Sequence, residues 1–265
     1  MIPARPGGWR RVALASWRRA DDPTTLGMLE LEVSSALETV RLAAERGEPV
    51  TFLALVVRAL GRAIAEVPEA ATMIRHGRIY PRETVDVFVH VDRGGRDLAG
   101  LKLEAVPALS AVEITTRIAR RAASIRDGDP SEPLLRSTSV TDRIPGWLLP
   151  FAIFLQDLLA HDFRVALPWL GIQPDPFGVA MVTNVGSLGL DLAFPPIPPI
   201  CRCSIVLALG RIEDRPWHVD GKVVIRPVVR IGVALDHRLM DGAHAARLAR
   251  RFRHHLEHSA DIPGS

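Results

Sequence analysis

Val223-Val224-Ile225-Arg226-Pro227-Val228-Val229-Arg230-Ile231-Gly232-Val233-Ala234-Leu235 runs directly into Asp236-His237-Arg238-Leu239-Met240-Asp241-Gly242, and the rest of the chain can be organised around this stretch. Its β-branched residues predict a long strand. Asp220-Gly221, just before it, is a two-residue signal for a tight turn, so Trp217 to Asp236 reads as a hairpin. A period of two places Ile231, Val233, Leu235 and His237 on one face, so the imidazole continues an apolar row. A half-buried imidazole is favoured neutral, the form that can accept a proton. A last helix is expected from Asp241 to about Glu257, with the Asp241 carboxylate placed to cap backbone N–H groups or to pair with an arginine.

Working outward, strands are expected at 178–183 and 204–212. Upstream, Met28 to Val33 alternates as a half-buried strand does. Ser34 or Ser35 can cap a helix over Ala36 to Arg46, and Thr51 can cap another through Ala65, stopped by Pro68. Thr84 to Val91 reads as a strand with Val85, Val87, Val89 and Val91 on one face, and Asp97 to Val106 as another. Ser110-Ala111-Val112-Glu113 has the form of a capping box, predicting a helix to about Arg126, where Asp127-Gly128-Asp129-Pro130 breaks it. Residues 131 to 177 hold six prolines around an apolar run from Ile144 to Ala160, an inserted excursion rather than a core layer. Arg10 to Arg19 carries Val12, Leu14, Ala15 and Trp17 among arginines as a short helical pattern. No repeat or linker divides the chain, which favours one α/β domain over residues 1–265.

The chain has 265 residues, 48% hydrophobic and 24% charged, with 33 Lys+Arg against 30 Asp+Glu. The basic residues are interspersed with acids, which argues against nucleic-acid binding. Cys201 and Cys203 stand one residue apart with no framework of spaced pairs, so a reducing, cytoplasmic compartment is expected. The apolar run from Ile144 is broken by Pro150, Gln156 and Asp157, too interrupted for a transmembrane segment, and the N-terminus lacks the apolar core of a signal peptide. His254 and His258 have metal-ligand spacing but no third ligand, so an exposed helix face is expected and no metal. Cys203 has no base near it in sequence, and no G-x-S-x-G, phosphate loop or dinucleotide fingerprint is present.

The run D-H-R-L-M-D-G-A, residues 236 to 243, resembles the D-H-R-x-x-D-G-A signature of the dihydrolipoyl acyltransferase catalytic domains of 2-oxoacid dehydrogenase complexes. Val182-Thr183-Asn184-Val185-Gly186-Ser187-Leu188-Gly189-Leu190-Asp191 is similar to that family's I-S-N-L-G-x-x-G-x-D loop, and Pro198-Pro199 with Ile205 to Gly210 to its P-P, strand and Gly stretch. Arg10-Arg11-Val12-Ala13, Thr51-Phe52-Leu53 and Gly100-Leu101 follow in the family's order. The resemblance implies the chloramphenicol acetyltransferase-like fold, a mixed sheet flanked by helices. It implies His237 as general base, Thr183 as the hydroxyl that hydrogen-bonds the tetrahedral oxyanion, and Asp241 as the residue that holds the site together. For Asp241 an arginine pair is expected, with Arg10 or Arg11 the first candidates and Arg238 the next; Asn184, Gly186 and Gly242 complete the support.

The same resemblance places Gly100, Leu101, Lys102 and Glu104 along a substrate channel, in charged form where the family has G-L-V-V-P-V-I. It implies coenzyme A or an acyl-coenzyme A as substrate, nothing covalently bound, and a homotrimer with each active site between subunits. No lipoyl domain is expected ahead of the catalytic part, and neither Lys102 nor Lys222 stands in an Asp-Lys-Ala setting, so a lipoyl-bearing or acyl-carrier partner would be a separate protein. The polar end of the chain lacks the apolar tail that joins trimers into cages in the family, and residues 144 to 160 are the candidate substitute contact. The competing reading is a non-catalytic trimeric scaffold built on the same core.

Overall fold

The computed structural model describes residues 22–92, 98–126, 145–167 and 172–259. The expected helix over Arg10 to Arg19 and the breaker at 127–130 lie outside these residues. The strands are β1 (Thr24–Glu32), β2 (Thr72–Arg75), β3 (Arg78–Pro81), β4 (Val87–Asp92), β5 (Leu98–Leu103), β6 (Ala180–Asn184), β7 (Ile205–Val219) and β8 (Lys222–Asp236). The helices are α1 (Ser34–Glu45), α2 (Phe52–Ala65), α3 (Ala111–Arg126), α4 (Leu149–Asp157) and α5 (Gly242–Glu257).

The hairpin organises the sheet. Asp220 and Gly221 both take positive φ, 48° and 80°, the backbone of the two-residue turn whose twist matches its flanking strands. β7 runs on to Val219, so the separate strand expected to end at 212 is continuous with the first arm of the hairpin, with a register shift between Leu209 and Ile212. β1 pairs with β8 only as far as Glu32 opposite Val228, leaving the distal arm two-stranded; Pro216 and Pro227 sit there, where no third strand asks for their missing N–H. The full sheet has the order β1-β8-β7-β6-β4-β5, with β4, β6 and β7 mutually parallel and the remaining pairings antiparallel. The architecture is a mixed sheet flanked by helices.

One face of the sheet supplies Val87, Val89, Leu103, Val182, Leu207, Ile231 and Leu235 to the main core, together with Leu60, Ile64, Ile114, Leu248 and Phe252 from the helices. On the opposite face Phe88, Met181, Val206 and Ala234 pack with Cys201 and Cys203 under the loop carrying Ile197 and Ile200. Burial pushes the Cys203 thiol up to about 12 and raises Cys201 as well, so neither is a thiolate nucleophile near neutral pH.

The starts of α2 and α3 follow the expected capping chemistry. Ser110 and Glu113 exchange the reciprocal bonds of a capping box, at 2.8 and 3.1 Å, and Thr51 Oγ1 accepts the Ala54 N–H at 3.3 Å. At α1 neither serine caps. The helix begins at Ser34 itself, the Glu32 carboxylate accepts the Ser34 N–H at 2.7 Å, and Ser35 Oγ donates to the Glu257 carbonyl, tying α1 to the end of α5. Within the excursion, α4 continues into a wide turn over Leu158–Asp162. Arg202 pairs with Asp157 and Asp162, and Arg82 with Asp175, so ion pairs fasten the segment to the body. Among the described residues no helix is long and apolar enough to cross a membrane.

Candidate active site

β8 ends at Asp236, and His237, Arg238 and Leu239 form the turn into α5. The His237 N–H donates to the Pro23 carbonyl at 2.9 Å, and the Asp236 carbonyl accepts from Leu239 and Met240. Leu239 and Met240 are buried, pinning the far side of the turn, while His237 is half-buried. Its Nδ1 lies 3.1 Å from the Met240 carbonyl oxygen. A carbonyl can only accept, so Nδ1 carries the hydrogen, and in the neutral ring Nε2 holds the lone pair.

Arg238 and Asp241 do not pair. Arg238 closes a two-point fork on Asp236, Nε to Oδ1 at 3.0 Å and a terminal nitrogen to Oδ2 at 2.7 Å, and the Arg238 N–H adds a third bond to the same carboxylate. Asp236, buried at the end of β8, is thus the carboxylate that an arginine holds, and it was not singled out from the sequence. Asp236→Asn should cost about 1–3 kcal/mol, since it weakens a partly buried charged fork, with the change read by chemical denaturation.

Asp241 caps α5 instead, accepting from the Ala243 and His244 N–H groups at 3.0 and 3.1 Å, with the His244 ring Nδ1 against the same oxygen. Of the arginine partners expected for it, Arg238 is engaged by Asp236, and the helix start brings His244 back over the cap. Arg10 and Arg11 lie outside the described residues. The His244 backbone N–H, opposed by slight burial and aided by the His244 ring and the Ala243 N–H, holds the Asp241 carboxyl below the ordinary carboxylate range. With the folded value depressed, the cap contributes above the unfolded value of about 3.9 and is lost as pH falls through the folded value. Asp241→Ala should cost about 1 kcal/mol in denaturation at neutral pH and Asp241→Asn much less, because an amide oxygen still caps. Equal losses in the two variants would exclude the capping role. Gly242, the first helical residue, has open space where a Cβ would stand, so nothing steric demands glycine there.

The second group of candidates lies at the far end of β6. Thr183 is half-buried on the sheet face opposite the helices, beside Met181, and Asn184 Oδ1 accepts the Ser187 N–H at 3.2 Å to shape the loop. That loop lies flat on β7 and β8. A Cβ on Gly186 would come within 2.6 Å of the Gly210 carbonyl, one on Gly210 within 2.0 Å of the Asp191 carbonyl, and one on Gly232 within 1.9 Å of the Ala193 carbonyl. His90 joins Thr183 here. β4 and β6 are parallel with Val89 opposite Val182, so the next positions, His90 and Thr183, are neighbours on one face. Burial lowers the His90 pKa and keeps the ring neutral. Its proximity to Thr183 follows only from strand register, which no local motif announces.

Within one chain the two groups do not meet. Thr183 pairs with Ala208, and Ala208 with Gly232, so His237 stands two strands across and five residues along, on the order of 15–20 Å from Thr183. Of the candidate channel residues, Lys102 borders a cavity of about 50 Å³ shared with Asp86, His161 and Asp175. Leu101 turns into the main core, contrary to a lining role, and Gly100 lies under Phe88, whose ring would be 2.3 Å from an added Cβ. Lys102 is drawn to Asp86 and Glu104, each at 3.5 Å, and to the Asp175 carbonyl at 3.2 Å; Glu104 remains exposed. The alternation of β5 that sends Lys102 away from the helices is the same alternation that buries Leu101.

The family profile for the 2-oxoacid dehydrogenases acyltransferase catalytic domain matches residues 178–262. The dihydrolipoyllysine-residue acetyltransferase component of the pyruvate dehydrogenase complex of Zymomonas mobilis is 34% identical over 88 residues, 32% of this chain and 20% of that protein. The chain thus spans about a fifth of the length of that curated relative. A probable dihydrolipoamide acetyltransferase from Listeria monocytogenes superposes with a TM-score of 0.68 at 15% identity, covering 97% of this chain and 92% of that one. A chloramphenicol acetyltransferase gives 0.53 at 16% identity, over 94% and 96%. The fold is therefore chloramphenicol acetyltransferase-like, and the stretch that carries the hairpin, His237 and α5 is the part that matches the 2-oxoacid dehydrogenases acyltransferase catalytic domain.

Proposed function

We infer that this chain is an acyltransferase that moves an acyl group between a thioester and a thiol, with coenzyme A on one side and a separate lipoyl-bearing or acyl-carrier protein as the natural source of the other thiol. The observation that carries the reading is the 3.1 Å contact of His237 Nδ1 with the Met240 carbonyl oxygen. With Nδ1–H committed to the Met240 carbonyl, Nε2 is an acceptor held on a turn that the Asp236–Arg238 fork and buried Leu239 and Met240 make rigid. Nε2 takes the proton of the attacking thiol as its sulfur adds to the thioester carbonyl. The tetrahedral oxyanion is hydrogen-bonded by the Thr183 hydroxyl, and its collapse expels the second thiolate, which takes the proton back from the imidazolium. No covalent enzyme intermediate or bound cofactor is needed.

The separation of His237 from Thr183 supports a trimer in which His237 of one copy faces Thr183 of the next. Higher assembly into a cage is a further step of the same kind. The scaffold reading draws support from one observation, the ion pairs and carbonyl bond that engage Lys102 and tie up the charge expected along the channel. Isothermal titration with coenzyme A and with acetyl-coenzyme A separates the two readings. Saturable heat with either supports the enzyme, after which a panel of thiols identifies the acceptor, and no heat with either supports the scaffold.

A further inference from the structure

The most apolar surface of the molecule takes no part in the acyl-transfer reading. Residues 145–156 carry no charged side chain, and α4, which they build, has no buried residue. Trp147 is 82% exposed, Phe151 61% and Phe154 59%, with Ile153, Leu155 and Phe163 exposed around them. Phe151, Phe154 and Leu155 stand at i, i+3 and i+4, so they share one face, and Trp147 lies a turn before Phe151. Trp147, Phe151, Phe154 and Leu155 together expose on the order of 500 Å² of apolar side chain, at the upper end of the largest patch of a typical monomer and more than half of the share that one partner gives a standard protein interface.

The seat of this patch is fixed and electrically quiet. Asp157 and Asp162, the acids nearest to it, turn inward to Arg202, Arg75 donates to the Asp162 carbonyl, and Arg82 forks onto Asp175 at 2.8 and 2.9 Å. The apolar face is thus presented pre-ordered, which lowers the entropy cost of an association. From Pro145 to Phe163 there is no Lys or Arg, and Arg164, the next residue, is drawn to Glu83 at 3.5 Å, so the described part of the segment has little of the basic fringe with which an interfacial helix grips anionic lipid. A neutral apolar face of this size opposes no like charges when it meets its own copy, which is the requirement of a two-fold contact.

We propose that the α4 face, residues 147–163, is a two-fold self-contact on which a second copy of this chain packs through the same face. The contact does not depend on the acyl-transfer reading; combined with a three-fold ring it would close a larger assembly. Light scattering on the parent chain and on the double variant Phe151→Glu/Phe154→Glu, with circular dichroism beside it, tests the proposal. Both side chains are exposed, so helix content is expected to be unchanged. The mass of the double variant should fall by a factor of about two or more relative to the parent, while Phe151→Leu keeps the parent mass. Equal masses for parent and double variant would overturn the proposal. So would a parent no larger than the double variant in free solution that sediments with vesicles of phosphatidylcholine and phosphatidylglycerol. Whether the smaller form has the mass of one chain or of three bears on the trimer alone and leaves the two-fold contact to be judged by the ratio.

Discussion

His237→Ala should lower acyl transfer from acetyl-coenzyme A to a small thiol by about 10²–10⁴-fold, the usual worth of a positioned general base. The protein should stay folded. The imidazole gives the turn the Nδ1 bond to the Met240 carbonyl, but the backbone bond of residue 237 to Pro23, the bonds from Leu239 and Met240 to the Asp236 carbonyl, and the Asp236–Arg238 fork remain without it. The side chain itself is half-buried, so truncation leaves no sealed cavity. The loss should appear in kcat with little change in coenzyme A affinity by titration, because the ring acts on the thiol proton rather than on the bulk of the ligand. A variant as active as the parent removes His237 from the mechanism, and one that loses coenzyme A binding altogether assigns the ring to binding.

The parts of this molecule written in short range were legible before any coordinates. Asp220-Gly221 specifies its turn because both residues tolerate positive φ, and the Ser110 and Thr51 caps need partners only three residues away. Val87, Val89 and Val91 declare a buried face by spacing alone. The site was legible only in part. His237 and Asp241 stand out as a motif, but the alternation of β8 stops at Asp236, one residue short of His237, and the Asp236 carboxylate is held by its own neighbour Arg238, a pairing that spacing does not announce. Asp241 finds His244 because a helix start folds back on itself. Long-range register stayed out of reach: His90 beside Thr183, and Arg82 with Asp175 across 93 residues, are set by how strands and the excursion pack. Lys102 shows the same limit, since a charge assigned to a channel is consumed by Asp86 and the Asp175 carbonyl.

Thr183→Ala should lower turnover by about 10²–10³-fold while Thr183→Ser stays close to the parent, because the donor to the oxyanion is the hydroxyl and the methyl only packs. If Ala and Ser variants lose equally, the oxyanion role is wrong. The stronger test uses geometry. Strand register sets Thr183 and His237 on the order of 15–20 Å apart in one chain, far beyond the span of a single tetrahedral intermediate. A site containing both must therefore draw them from two copies. His237→Ala chains and Thr183→Ala chains, each inactive alone, should then recover activity when dissociated together and reassembled. In a random equal mixture about one site in four takes its histidine from a Thr183→Ala chain and its threonine from a His237→Ala neighbour, so about a quarter of the parental activity returns in a closed ring. Independent single-chain sites would return none. Reassembled oligomers shown by mass spectrometry to contain both chains, yet inactive, would end the shared-site mechanism, whatever the single variants had shown.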